Sequence, residues 1–214
     1  MSDTLSPASD TVTSLAELQA LYAAPGERAL RKQLPALDAH ARRFIALSPF
    51  LVLSSHDGAG ALDASPRGGA PGFVQVTEGG ELLIPDAAGN NRLDSLRNIV
   101  QTGAVGLLFL IPGVDETLRI NGRAWLSRAA ADIALCSASV QAERRPPKLV
   151  IRVAVREAYL HCAKALMRSR LWSDEARQPR SVLPSMGQMI HDQAGLSGPV
   201  ESQDQMVARY AADL

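Results

Sequence analysis

Several features that mark common functional classes are missing from this chain of 214 residues. No run of about 18 or more apolar residues occurs, which is the length that a membrane-spanning helix needs. Lysine plus arginine number 22, and aspartate plus glutamate also number 22. Because the formal net charge is zero, no overall field draws the chain to nucleic acid or to an acidic membrane. We therefore expect a soluble protein that binds neither.

The chain is also poor in residues for metal and disulfide chemistry. Its two cysteines, Cys136 and Cys162, form no CxxC pair, and its four histidines are scattered. The first ten residues are polar and lack the basic and apolar segments of a signal peptide. These absences predict no metal site, no signal peptide and a reducing, cytoplasmic location.

Sequence motifs of common hydrolases and nucleotide-binding enzymes are missing too. The chain has no GxSxG nucleophile elbow and no P-loop. The segment Gly58-Ala59-Gly60 is too short for a dinucleotide fingerprint, so we interpret it as a tight turn.

The spacing of apolar residues and of turn residues divides the chain into four parts. Residues 1–13 are predicted to be a disordered tail, and residues 14–47 a helical segment. Residues 48–160 contain short strands joined by Gly- and Pro-rich turns, which is typical of a small barrel. Residues 161–214 are predicted to form a C-terminal helix and tail.

Local signals place several elements more closely. Ser14 is predicted to cap the first helix, and Pro35 to divide a second helix over residues 27–47. Residues 105–111 are almost continuously apolar, so this strand is expected to be buried on both faces. The pattern over residues 159–172 predicts a helix.

Two loops have the chemistry of an anion site. In Ser65-Pro66-Arg67-Gly68-Gly69, an arginine that suits phosphate oxygens stands beside glycines that let a ligand approach the backbone. The second loop runs from Asp86 to Asn91. Asn91 is predicted to be the N-cap of a helix whose first turn contains Arg92, where a bound anion would offset the charge. The alternatives remain an ordinary hairpin loop in the first case and an ion pair of Arg92 with Asp86 or Asp94 in the second.

Two further segments place cations together. Arg119 and Asn121 share one face of a predicted strand, joined by Arg123, and such a row requires acidic partners or an anionic ligand unless it faces solvent. On the predicted helix 159–172, one side has the basic and aromatic residues His161, Lys164, Arg168 and Trp172. This side is either a binding face for an anionic, planar ligand or a basic surface with the tryptophan in the core.

These segments together resemble a known family. A bacterial branch of the pyridoxamine 5'-phosphate oxidase-like FMN-binding proteins has similar segments in the same order. In this chain they are Ser65-Pro66-Arg67-Gly68, Pro71-Gly72-Phe73-Val74, Leu83-Ile84-Pro85-Asp86 with Gly89-Asn90-Asn91-Arg92-Leu93-Asp94-Ser95, Gly106 to Gly113, Thr117 to Gly122, and His161-Cys162-Ala163-Lys164-Ala165 with Arg168-Ser169 and Leu171-Trp172.

The resemblance implies a mainly β fold with flanking helices, namely a six-stranded antiparallel split barrel. It also implies a homodimer that binds FMN between its subunits. The implied phosphate and ribityl contacts lie in the two loops. Lys164, Arg168 and Trp172 are implied to contact the cofactor of the partner subunit. The candidate cofactor-binding residues are Ser65, Pro66, Arg67, Gly68, Asp86, Asn90, Asn91, Arg92, Ser95, Arg119, Lys164, Arg168 and Trp172.

The function implied by the resemblance is that of an FMN-dependent oxidoreductase acting on a small molecule. The chain departs from authentic pyridoxamine phosphate oxidases in the basic strand motif, replaced here by Pro66-Arg67-Gly68-Gly69, and in the C-terminal signature. FMN binding therefore transfers better than the vitamin B6 substrate. The alternatives are a non-catalytic flavin carrier or sensor, and a barrel that holds the deazaflavin F420 or haem.

Overall fold

The computed structural model describes residues 10–87, 89–138 and 146–211. Of the predicted tail 1–13, residues 1–9 lie outside the described residues. The chain divides into two compact units, residues 1–33 and residues 34–214. The four-part division expected from the sequence stays a prediction.

In the first unit, described from residue 10, two short helices follow each other. They are α1 (Leu15–Ala20) and α2 (Glu27–Arg31). The Ser14 hydroxyl accepts a hydrogen bond from the backbone N–H of Glu17 at 3.2 Å, which confirms Ser14 as the N-cap of α1.

The described residues of the second unit form one antiparallel sheet of seven strands with helices around it. The strand order is β2-β1-β5-β6-β7-β4-β3, and each neighbouring pair is antiparallel. The strands are β1 (Phe50–His56), β2 (Leu62–Gly68), β3 (Gln75–Val76), β4 (Leu82–Pro85), β5 (Ala104–Leu110), β6 (Thr117–Ser127) and β7 (Val150–His161). The helices are α3 (Ala39–Leu47), α4 (Asp94–Thr102), α5 (Ala130–Ala138), α6 (Lys164–Ser169), α7 (Met186–Ala194) and α8 (Gln203–Ala211).

The predicted fold class, a mainly β antiparallel split barrel with flanking helices, is confirmed, since the antiparallel sheet curls into a half-barrel. The sheet has one strand more than the six expected. The shortest of the seven is β3, in which Gln75 pairs with Leu83 and Val76 with Leu82.

A hydrophobic core fills the inner face of the curled sheet. Alternate strand residues such as Leu51, Phe109 and Ile120 are completely buried there, as the two-residue period of a strand requires. Helix α3 adds Ile45 to this core, and helix α4 adds Ile99. Burial of each large apolar side chain stabilises the fold by roughly 1.5–3 kcal/mol.

Strand β5 was expected to be buried on both faces, but only one of its faces is buried. Val105, Leu107 and Phe109 are buried, whereas the residues between them are only half-buried. The reason is that α4 and the core cover one face of the sheet, while the outer face of β5 stays open. An apolar run alone does not distinguish these two situations.

The predicted helix over residues 159–172 is correct only for residues 164–169. Strand β7 continues to His161, because Tyr159 pairs with Arg119 and Leu160 with Leu118 on β6. Helix α6 has only six residues, Lys164–Ser169, and ends at Arg170 in the left-handed conformation. Pairing with a distant strand decides the structure of this segment, and local periodicity does not include that interaction.

Pro35 does divide the predicted second helix. Helix α2 ends at Arg31, and α3 begins only at Ala39, where the Asp38 carboxylate accepts a hydrogen bond from Ala41 N–H at 2.7 Å. Before it, Leu34 exchanges two backbone hydrogen bonds with Ala158 of β7.

Helix α5 covers the outer face of the sheet at β4 and β7. Its Cys136 packs against Leu83 and Val150 in a second apolar cluster. Burial, together with the charge of Asp132, raises the pKa of the Cys136 thiol to about 11. Arg152 of β7 binds the carboxylates of Asp132, at 3.0 Å, and Glu81. This network joins α5 to the sheet.

Candidate functional site

Residues 65–68 belong to strand β2 and not to a loop as expected, and β2 places two of them on the inner side of the sheet. Arg67 pairs with Leu51 and Ser65 with Leu53, and both leucines point into the core. Ser65 and Arg67 are half-buried, whereas Pro66 and Gly68, on the other face, are exposed. Because β2 is an edge strand with only one neighbour, it tolerates Pro66, which has no backbone N–H to donate.

Arg67 and Asp86 form an ion pair between the two edges of the curled sheet. Arg67 lies on β2 at one edge, and Asp86 follows β4, next to the opposite edge strand β3. Nη1 of Arg67 donates to Oδ1 of Asp86 at 3.3 Å, and the two side chains are only 17% and 18% exposed. This pair links the two ends of the curled sheet.

The pair leaves part of the arginine unsatisfied. Nε of Arg67 is buried and has no hydrogen-bond partner within the described ranges. Burial raises the pKa of Asp86, while the charges of Arg67 and Lys148 oppose the rise. A buried N–H without a partner carries a desolvation cost that a bound oxygen would offset.

The loop after β4 differs from the expectation at the helix start. The N-cap of α4 is Leu93, not Asn91, and α4 begins at Asp94. Both Asn91 (φ 58°) and Leu93 (φ 61°) adopt the left-handed conformation, which turns the chain before the helix. Arg92 therefore precedes the first turn and does not lie in it.

Of the interpretations left open for Arg92, the ion pair with Asp94 is present. Nε of Arg92 donates to Oδ2 of Asp94 at 2.8 Å, with the arginine side chain 74% exposed. Asn90 supports this turn, because its Oδ1 accepts a hydrogen bond from Arg92 N–H at 3.1 Å. Such an exposed pair exchanges partners easily, so Arg92 remains available to an anion.

Ser95 has a partner that the sequence did not suggest. Its hydroxyl donates to Oδ2 of Asp63 at 2.5 Å, and Asp63 lies on β2 on the same face as Arg67. One turn further along α4, Asn98 donates to Ser55 Oγ at 3.0 Å. These bonds fix α4 over β1 and β2, so Ser95 orients the start of the helix beside the Arg67 strand.

A groove of about 490 Å³ opens on the outer face of the sheet. Arg119 of β6 is exposed there and stacks over the ring of Tyr159 at 5.2 Å. Asn121 of the same strand donates to Glu157. The remaining lining residues come from β1, β5, β6, the end of β7 and α6, and they include Ser54, Gly106, Leu108, Leu110, Thr117, His161, Cys162, Ala165 and Leu166.

Gly106 forms part of the floor of this groove. A Cβ at that position would lie 3.1 Å from Asn121 Oδ1, so a larger residue would displace the amide. The sequence indicated Arg119 and Asn121 but not Ser54, Gly106 or Thr117. These residues meet only when β1, β5 and β6 pair. Within one strand, the sequence does show the two-residue spacing of lining residues, such as Gly106 and Leu108 on β5.

The late cationic residues do not form the single helical face that was expected. His161 belongs to β7, Lys164 and Arg168 belong to α6 and are exposed, and Trp172 follows the helix. The indole N–H of Trp172 donates to the carbonyl of Val114 at 2.9 Å. Trp172 thereby ties the segment after α6 to the turn between β5 and β6, beside the groove.

The strand register shows which face of the sheet Arg119 and Arg67 occupy. Side chains directly opposite each other on paired strands lie on the same face. Arg119 pairs with Leu108, Leu108 with Val52, and Val52 with Pro66. Arg119 therefore lies on the opposite face of the sheet from Arg67.

Comparisons with known proteins agree with this architecture. The model of the pyridoxamine 5'-phosphate oxidase family matches residues 37–162, more than half of the chain. No curated protein matches the sequence significantly.

Solved structures give weaker likenesses. HupZ of Group A Streptococcus is 14% identical over 58% of this chain and 93% of its own, with a TM-score of 0.48. An FMN-binding protein of Syntrophomonas wolfei is 13% identical over 57% and 84%, with a TM-score of 0.43. The FAD binding protein of Mycobacterium smegmatis is 16% identical over 58% and 95%, with a TM-score of 0.42. At these scores the family-model match carries the assignment. On that match, the chain belongs to the pyridoxamine 5'-phosphate oxidase family.

Proposed function

We propose that this protein binds FMN and acts as an FMN-dependent oxidoreductase on a small molecule. The observation that carries the proposal is the buried Nε of Arg67, which has no hydrogen-bond partner in the described part of the chain. A phosphate oxygen would satisfy it with a charge-assisted hydrogen bond, which is stronger than one between neutral groups. The residues present therefore fit a phosphate group.

The proposed phosphate and ribityl contacts come from β2 and from the chain between β4 and α4. Arg67 supplies a fixed charge in a low-exposure position, where electrostatic attraction is screened less than at the surface. Exposed Arg92 adds a second cation. The proposed direct contacts of this group are Ser65, Pro66, Arg67, Gly68, Asn90, Asn91, Arg92 and Ser95, and Asp86 joins the group through its ion pair with Arg67.

Arg119, Lys164, Arg168 and Trp172 remain proposed cofactor contacts of a second group. Arg119 projects into the outer groove, and it could stabilise negative charge on a reduced flavin. We propose a homodimer with FMN at the subunit interface, through which residues of this group would contact the cofactor of the partner subunit. Sedimentation velocity with and without FMN tests the dimer, and a monomer in both conditions would contradict it.

Bound flavin supplies the redox chemistry, and the protein supplies binding, orientation and electrostatics.

We propose a cytoplasmic location. Cys136 and Cys162 are not disulfide-bonded to each other, which supports a reducing compartment. No described helix is both long and apolar enough to cross a membrane.

The decisive experiment is the identification of the ligand that co-purifies with the full-length protein. We expect flavin absorption bands in the purified protein, or their appearance with a changed spectrum when FMN is added. A protein that stays colourless and leaves the FMN spectrum unchanged contradicts the proposal. Mass spectrometry of the released ligand distinguishes FMN from F420 and haem.

A turnover screen of the FMN-loaded protein then separates an oxidoreductase from a carrier or sensor. The screen would follow flavin reduction by NADH and NADPH, and flavin reoxidation by small-molecule acceptors. Absence of turnover with every donor and acceptor, despite tight FMN binding, would leave the carrier as the function.

A further inference from the structure

We propose that Asp86 is a positioning residue, which holds one nitrogen of Arg67 so that the opposite edge of the guanidinium faces the ligand phosphate. This inference rests on the proposed binding of FMN at Arg67. It gives Asp86 a role that acts through Arg67 and not through direct contact with the cofactor.

The contact pattern of the guanidinium carries the inference. A guanidinium grips a phosphate or carboxylate best through two parallel N–H donors on one edge. One such edge is formed by Nε and Nη2. Asp86 engages Nη1, which is not on that edge, at 3.3 Å. The buried Nε, which is on that edge, has no hydrogen-bond partner in the described structure. Asp86 therefore occupies the donor that a two-pronged ligand does not need.

The backbone of Asp86 is held firmly enough for such a role. Its N–H donates to the carbonyl of Leu149 at 3.2 Å, and the preceding Pro85 pairs with Val150 of β7. The carboxylate thus projects from the fixed end of a strand and not from a free loop. Positioning by groups on rigid elements is more accurate than positioning by mobile ones.

Electrostatics disfavours a direct contact between Asp86 and a phosphate. A carboxylate beside a phosphate would repel it, since like charges destabilise each other at short range. The charged groups that face Asp86 are Arg67 on β2 and Lys148 before β7. Both are cations, so they neutralise the carboxylate while its oxygen still holds Nη1.

The test compares FMN with riboflavin, which lacks the phosphate, in the full chain. Asp86→Ala removes the oxygen that holds Nη1, and we expect the preference for FMN over riboflavin to fall by about tenfold, equal to about 1.4 kcal/mol. Asp86→Asn keeps an oxygen acceptor in place and should restore most of the preference. Affinity for riboflavin should stay unchanged in both variants, which also shows that they fold.

Two further variants keep the test decisive. Asp86→Leu removes the acceptor without leaving a cavity, and it replaces Asp86→Ala should that variant fail to fold. Glu81→Ala is the matched control, because it breaks another carboxylate–arginine pair at the opposite end of β4. We expect Glu81→Ala to keep the preference for FMN.

The outcomes separate the two proposals. Failure of the wild-type protein to bind FMN, or an unchanged FMN affinity in Arg67→Ala, removes the phosphate site itself. An Arg67→Ala variant that loses the preference, beside an Asp86→Ala variant that retains it, overturns only the role of Asp86. Loss of the preference in Asp86→Asn as well would show that the charge is needed and would also overturn the positioning role.

Discussion

Gly122 of β6 provides a stringent test of the sheet register around the groove. A Cβ at this position would lie 2.3 Å from the carbonyl oxygen of Ala154 and 3.0 Å from Val153 Cγ1. Real Cβ atoms stay at 3.0 Å or more from such an atom, so the backbone of β7 would have to move by at least 0.7 Å, the difference between 3.0 and 2.3 Å. Because β7 pairs with β6 on one side and β4 on the other, the shift would disturb both ladders.

The position coincides with an irregularity of the sheet. Asn121 pairs with Glu157 but Gly122 pairs with Val155, so Arg156 is an extra residue on β7. Such a bulge bends the strand and brings the two backbones unusually close. The glycine is thus required by the close approach of a backbone carbonyl.

We expect Gly122→Ala to lower the free energy of unfolding by about 3 kcal/mol, at the upper end of the usual overpacking cost. With a urea m-value of about 2 kcal/mol/M, the midpoint of denaturation would fall by about 1.5 M. Circular dichroism during urea titration measures this shift. Gly58→Ala is the matched control, since nothing lies within 4 Å of its added Cβ.

A loss of less than about 1 kcal/mol in Gly122→Ala would show that β7 does not approach Gly122 this closely, given typical additivity errors of a few tenths. An equal loss in Gly58→Ala would contradict the close approach as well, because the effect would then reflect glycine replacement in general.

Three further predictions concern other parts of the chain. At about pH 8, the exposed Cys162 should react with iodoacetamide well before Cys136, because the raised pKa of about 11 keeps Cys136 a thiol. Mass spectrometry of the labelled peptides measures both rates, and equal rates would contradict this expectation. Trp172→Phe should cost about 1 kcal/mol in urea denaturation, because the Val114 carbonyl loses its indole donor, and an unchanged midpoint would contradict that contact. Leu93→Gly should raise the unfolding free energy by up to about 1 kcal/mol, because glycine tolerates φ 61°, whereas a destabilised variant would show that the Leu93 side chain matters more.

Local sequence patterns predicted the parts of the fold that local chemistry controls. The hydroxyl of Ser14 caps α1, Pro35 separates two helices, and the Gly- and Pro-rich turns separate the strands as expected. In each case the cause is a residue whose own side chain or ring restricts the neighbouring backbone.

Other parts depend on contacts between distant segments and could not be derived in the same way. The last residues of β7 have a helical pattern, but Tyr159 and Leu160 form a strand because β6 offers them partners. The helix start at Asp94 follows two left-handed residues, Asn91 and Leu93, and neither is a glycine that would have indicated the turn.

The candidate site shows the same division. The residue types of segments 65–69 and 90–92 pointed to an anion site, and the resemblance to a family specified FMN. The ion pair between Arg67 and Asp86 joins positions 19 residues apart and depends on the curl of the whole sheet. Likewise, the partner of Ser95, Asp63, lies 32 residues away on β2.

Arg67 is the residue that we propose holds the phosphate of FMN. The most direct test is a titration of wild-type protein and Arg67→Ala with FMN and with riboflavin, followed by flavin fluorescence. We expect Arg67→Ala to lose at least about tenfold in FMN affinity, since hydrogen bonds to charged groups contribute about 1.5–3 kcal/mol, while riboflavin affinity stays unchanged. Equal FMN affinity in the two proteins would contradict it.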